Sequence, residues 1–174
     1  MTDPIGVRHG KVELVRHDPE WAAMYRAEAA RIHASCAGLV LAVEHIGSTS
    51  IPGIHAKPII DLAIGVATLE DADKMEPGMR SLGYDYPRDV GIPDQYVFGR
   101  GHPVRKYIAH VQVHESDHWN DYLIFRNRLR ESPQLAKEYE SLKLALAGEF
   151  KNDRATYGDR KAKFVAHVLG RQLT

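Results

Sequence analysis

The sequence predicts an α/β or α+β domain that ends in a helical subdomain. Three observations carry this prediction. Short apolar runs with period-two alternation occur in the first two thirds of the chain, and helix-opening Ser and Asp residues precede runs of three- and four-residue apolar spacing. The last third holds only runs of the second kind.

The elements follow in order. "HDPEW" (17–21) opens a helix, with Asp18 as N-cap, Pro19 at the first helical position and Glu20 in the first turn. Trp21, Tyr25, Ala29, Ile32 and Cys36 then form one apolar stripe, and Gly38 ends it. "LVLAVEHI" (39–46) and "PIIDLAIGV" (58–66) read as strands, the second central. "LEDADKMEPGMRSLG" (69–83) reads as a helix closing on Gly83, with Pro77 against it. "DQYVFG" and "KYIAHVQVH" read as two strands joined hairpin-fashion by "RGHPVR". Ser116 or Asp117 caps a helix over 117–130, Ser132-Pro133 starts one over 133–150, and Asp153 starts one over 153–170.

Composition bounds the function. The 174 residues suffice for one domain with a sizeable core. Twenty-three basic residues balance 23 acidic ones, so no bulk field draws the chain to nucleic acid or to anionic membrane. Cys36 is the sole cysteine, which excludes a disulfide framework and predicts a reducing, cytoplasmic location. "MTDPIGVRHG" carries no apolar leader core, and no run of 18 apolar residues occurs, so neither export nor membrane insertion is expected.

Strand alternation selects the candidate site residues. On 58–66, Ile60, Leu62, Ile64 and Val66 share a core face, while Asp61 shares the other with Ile59, Ala63 and Gly65. Those small neighbours predict space beside the carboxylate. On 107–113, His110 falls with Ile108 and Gln112, opposite Tyr107, Ala109 and Val111. Two cations stand where an apolar residue belongs: Arg126 in the stripe Trp119, Tyr122, Leu129, and Lys161 in the stripe Tyr157, Phe164, Val168. Either they snorkel to water, or they converge on an anion, joined by Lys57 and Arg100. Gly47-Ser48-Thr49-Ser50 offers backbone N–H groups and hydroxyls to phosphate oxygens, although it is not a Walker loop and lacks the context of a hydrolase serine. The ten histidines form no ligand pair suited to zinc.

"VRHDPEW", "EHIGSTSIPGIHAKPIIDLAIGV", "LGY", "HVQVHESDHWNDYLIFRNRLRESPQLAKEYESLK" and "YGDRKAKFV" together resemble the GrpB-like family, over about residues 11–170. That family is placed with the nucleotidyltransferase fold of the DNA polymerase β type. The resemblance implies a mixed sheet backed by helices, with a nucleotidyltransferase-like core over about 11–115 and a helical part over about 116–172 of a single domain, 1–174. In the superfamily the Gly-Ser turn holds a nucleoside triphosphate and acids two apart on the next strand hold divalent metal. Gly47-Ser48 and Asp61 match these positions, so Asp61 is the expected ligand of Mg²⁺ or Mn²⁺, with His110 beside it as a second catalytic candidate.

One departure stands out. The second acid falls at Ala63, and the third at a strand offering His110 and Gln112. Two readings therefore stay open, both with a nucleotide or other small phosphorylated molecule as partner. One is a transferase that moves a nucleotidyl group with metal on Asp61. The other is a module that binds a ligand without catalysis. A third, a ligand-free interaction domain, leaves the two inward cations unexplained.

Overall fold

Period-two alternation builds the sheet that the rest of the molecule packs on. The computed structural model describes residues 5–8, 10–85, 92–150 and 153–171; the outermost parts of the single-domain expectation, 1–4 and 172–174, lie outside the described residues. The strands are β1 (Val7–Arg8), β2 (Val40–Ile46), β3 (Ile60–Val66), β4 (Tyr84–Asp85), β5 (Tyr96–Arg100), β6 (Val104–Arg105) and β7 (Tyr107–Val113). Five of them form one sheet in the order β2-β3-β7-β5-β4. The β3–β7 pair is parallel and the other pairs are antiparallel, so the sheet is mixed as expected.

One face of the sheet carries the core. Ile60, Leu62 and Ile64 lie beside Tyr107, Ala109, Val111 and Phe98, and helix α1 (Glu20–Ser35) covers them with Trp21 and Ile32. Burying those side chains is worth roughly 1.5–3 kcal/mol each, which makes this layer the main stabilising element. Asp18 accepts from the Glu20 N–H at 2.9 Å, so the expected capping residue acts, though the helix proper starts at Glu20. The expected helix over 69–83 is two: α2 (Leu69–Lys74) and α3 (Glu76–Ser81). Pro77 sits in the first turn of α3, where its missing N–H costs no helical bond.

The hairpin of β5 and β7 is present, but its connection does more than turn. Val104 and Arg105 pair with Arg8 and Val7 as a two-stranded ribbon. Helices α4 (Asp117–Glu131), α5 (Pro133–Glu149) and α6 (Arg154–Leu169) then pack on the face that carries Asp61. Ser116, Ser132 and Asp153 each accept an N–H of the first turn, so all three expected caps hold, with Ser116 rather than Asp117 in the first.

Candidate functional site

The site lies where the turn after β2 meets the start of β3. Residues Ser48–Ser50 form a single 3₁₀ turn, and Gly47 ahead of it has φ 69 and ψ −176. Only glycine occupies that region readily. A Cβ on Gly47 would stand 3.0 Å from both Cβ and Cγ of Asp61 and closer still to its carboxylate oxygen. The Asp61 carboxylate thus lies flat against the turn.

The four hydroxyl-loop residues divide. Thr49 and Ser50 are buried: Thr49 donates to the Ile59 carbonyl at 3.2 Å, and Ser50 donates to the Gly47 carbonyl at 2.6 Å. Their hydroxyls fold the loop instead of facing a ligand, which corrects their expected role. Because the Thr49 proton goes to Ile59, its oxygen accepts from His45 Nε2 at 3.0 Å. Burial pushes His45 down to about 4, so it is neutral around pH 7 and keeps that donor. Gly47 and Ser48 remain accessible and line the recess described below.

Asp61 borders three adjacent spaces, each of which Lys161 also lines. The first is a chamber of about 440 Å³ walled by Ile46, Ile108, His110, Tyr122, Phe125 and Tyr139, with Lys161, Val165 and Leu169 from α6. The second, about 140 Å³, is bordered by Arg8, Lys11, Lys57, Arg105 and Lys161. The third, about 90 Å³, lies against Gly47 and Ser48 and is enclosed by Lys57, Lys143, Lys161, Tyr139 and Tyr157. Lys57 stands over the Tyr157 ring at 4.4 Å, and Lys161 lies 5.9 Å from the same ring. In a chain with no net charge, Arg8, Lys11, Lys57, Lys143 and Lys161 line the two smaller spaces together with Arg105, which is itself bonded to Asp85 at 3.0 Å.

His110 joins Asp61 as the alternation predicted. Its Nε2 lies 3.8 Å from Asp61 Oδ1, while Nδ1 is 3.2 Å from the Tyr122 hydroxyl. Gln95 Nε2 donates to that hydroxyl at 3.1 Å and to Gln112 at 3.0 Å. The Tyr122 hydroxyl in turn donates to Gln95 Oε1 at 3.2 Å, and His110 Nδ1 lies 3.4 Å from the same oxygen, so the phenol, the imidazole and the amide form one cluster beside Asp61. Burial pushes Tyr122 up to about 12, which keeps the phenol a donor.

Two expected cations are elsewhere. Arg100 pairs in register with Tyr107 and so emerges on the core face. There it binds buried Glu28 at 2.9 Å and stacks over Tyr107 at 4.2 Å, with the sheet between it and Asp61. Arg126 is on the correct face but is consumed: it bonds Glu44 at 2.6 Å and the His45 carbonyl at 3.0 Å. Both are structural cations, and neither lines the cavities around Asp61.

The expected space over Ala63 and Gly65 is also filled. Ala63 is wholly buried with Ile46 and Trp119, and a Cβ on Gly65 would meet the His114 ring at 2.8 Å. The opening beside Asp61 is toward Gly47 and Ile108 instead. This bears on metal. An acid at position 63 would sit beneath Trp119, and Glu44, paired across from Ala63, is tied to Arg126. Among the described residues no group of three or more His, Cys, Asp or Glu residues has a metal-holding arrangement. One carboxylate and one imidazole do not fit a pair of Mg²⁺ ions or a Mn²⁺ counterpart, which need several oxygen ligands.

Lys143 was the residue missed. Ala136, Tyr139, Lys143 and Leu146 are all buried on one stripe of α5, the pattern that singled out Arg126 and Lys161, so the signal was present. Its Nζ donates to the His55 carbonyl and lies 4.6 Å from the Tyr139 ring centroid. Burial, followed by the neighbouring Lys161, lowers it to about 7.

Comparison with known proteins places the chain. The family model described as GrpB protein matches residues 11–171. The Glutamate-rich protein GrpB of Alkalihalophilus pseudofirmus is 35% identical over 170 residues, covering 95% of this chain and 98% of that one. The crystal structure of conserved protein GrpB from Enterococcus faecalis aligns with a TM-score of 0.82 at 29% identity, over 91% of this chain and 98% of that one. A dephospho-CoA kinase of Mycolicibacterium paratuberculosis is 30% identical over 135 residues, which cover 72% of this chain but 29% of that protein. Among the described residues no helix is long and apolar enough to cross a membrane.

Proposed function

The chain belongs to the GrpB family, and from that premise we propose that its cleft binds a phosphoryl-bearing small molecule, a nucleotide foremost. The observation that carries this reading is the convergence of Lys57, Lys143 and Lys161 on the Gly47-Ser48 turn. Lysines place point charges on phosphate oxygens without demanding a fixed geometry, and the turn adds backbone donors. The phosphoryl group occupies the lysine recess. The remainder of the ligand extends into the aromatic chamber, whose 440 Å³ is in the range of small-molecule sites. The likeness to under a third of a protein named dephospho-CoA kinase supports a ligand of nucleotide type.

Asp61 opposes an anion in this arrangement instead of binding it. Its charge limits affinity and confines the phosphoryl group to the side of the recess lined by lysines. His110 stands beside the carboxylate on the chamber side, its Nε2 3.8 Å from Oδ1. A second reading, nucleotidyl transfer from a nucleoside triphosphate, is favoured by one observation, the Asp61–His110 approach at the mouth of the cleft. The donor set offers no route for it through a metal pair.

The test is calorimetric titration with inorganic pyrophosphate, adenosine monophosphate and adenosine triphosphate in the presence of a chelator. Binding is expected, with a loss of tenfold or more in Lys161→Met and in Lys57→Met. No heat from any of the three would end the reading. Pyrophosphate release from a triphosphate, lost in both Asp61→Asn and His110→Gln, would establish the second.

A further inference from the structure

We propose that Lys143 makes the recess selective for a terminal phosphate monoester by accepting a proton as the dianion binds. This rests on the phosphoryl-binding reading above and assigns that site its ligand class. The recess beside Ser48 measures about 90 Å³. That is room for about three water molecules, the scale of one phosphoryl group.

Lys143 is 1% exposed and lines that recess from α5. The charged and titratable groups around it come from every neighbouring element. Lys57 approaches from the loop before β3, Lys161 and Tyr157 from α6, and Asp61 from β3. Tyr139 and Glu140 belong to its own helix, and His55 to the loop after the 3₁₀ turn. Glu140, the nearby carboxylate, is engaged by both the backbone N–H and Nδ1 of His55 at 2.7 Å. An amine buried beside two other lysines, with Glu140 already bonded to His55, is held neutral above about pH 7.

A phosphate monoester carries two charges in that range, since its second pKa is about 6. Placed among three lysines, the dianion restores the proton to Lys143 and gains a third cation. A phosphodiester or a carboxylate brings one charge and gains less. Protonation therefore converts ligand charge into affinity, and binding takes up a proton from solution.

The experiment titrates inorganic phosphate, adenosine 5′-monophosphate and adenosine 3′,5′-cyclic monophosphate into the full chain with chelator present. Two buffers of different ionisation enthalpy report proton uptake. At about pH 8.5, close to one proton per phosphate or monophosphate is expected, and affinity should fall about tenfold per pH unit above that point. The cyclic diester should bind at least tenfold more weakly, without uptake. Lys143→Met and Lys143→Arg, both checked for folding by circular dichroism, should abolish uptake, and Lys143→Arg should hold a pH-independent affinity. Uptake that is absent in the native protein, or that survives in Lys143→Met, overturns the proposal while leaving phosphoryl binding intact. So does a cyclic diester bound as tightly as the monoester. Absence of binding by all three ligands overturns both.

Discussion

Substituting Gly47 by alanine tests whether the turn and Asp61 are one unit. The backbone at φ 69 and ψ −176 belongs to a region that side chains avoid, at a cost of roughly 1–3 kcal/mol. The added methyl also meets Asp61, at 3.0 Å from Cβ and Cγ and nearer to the carboxylate oxygen, which adds roughly 1–2 kcal/mol of overpacking. The sum is about 3 kcal/mol. For a chain of this size each kcal/mol lowers Tm by about 2–4 °C, so a fall of about 6–12 °C is expected in thermal unfolding followed by circular dichroism. The overpacking part depends on Asp61. In an Asp61→Ala background the cost of Gly47→Ala should drop by about 1 kcal/mol or more, as it does for residues in contact. A Tm change under about 2 °C would show that the turn accepts a side chain at residue 47 without strain or overpacking. An equal cost in the two backgrounds would refute the Asp61 contact alone.

Arg126→Ala should lower stability by about 2–4 kcal/mol in urea unfolding, because Glu44 and the His45 carbonyl lose their shared partner, yet leave phosphate affinity within about twofold. Glu28→Gln should destabilise without touching ligand binding, since Glu28 joins Arg100, Arg31 and the Tyr84 hydroxyl on the opposite face of the sheet. Lys143 gives a pH dependence of stability. Its folded value near 7 lies below the ordinary 10.5, so between these limits the unfolded chain binds more protons and stability rises with pH. Lys143→Met should remove that rise, as read from urea midpoints at about pH 7 and about pH 10.

How far the sequence reached depended on which physical signal each residue carried. Period-two alternation put Asp61 and His110 on one face, and they meet at 3.8 Å. Helix caps were equally legible, because a Ser or Asp ahead of an apolar stripe acts within one turn. Arg100 and Arg126 could not be placed in this way. A cation on an inward stripe announces a buried partner but not its nature, and the partners were Glu28 and Glu44, remote in sequence. Glu28 itself lies between Tyr25 and Ile32 on the inward stripe of α1, where its charge disguised it as solvent-facing. The small residues beside Asp61 misled for a related reason. Ala63 and Gly65 are small because Trp119 and His114 fill the space above them, and packing from a later turn and helix leaves no trace in strand alternation.

In the proposed arrangement the lysines of the cleft hold a phosphoryl anion and Asp61 is the opposing charge. The most direct measurement is pyrophosphate affinity of native protein and Asp61→Asn, each with chelator and each with excess Mg²⁺. Binding in chelator is expected, and it should tighten by about threefold or more in Asp61→Asn, because that substitution removes a like charge from the rim of the recess. Binding that appears only with Mg²⁺ and vanishes in Asp61→Asn would contradict this arrangement.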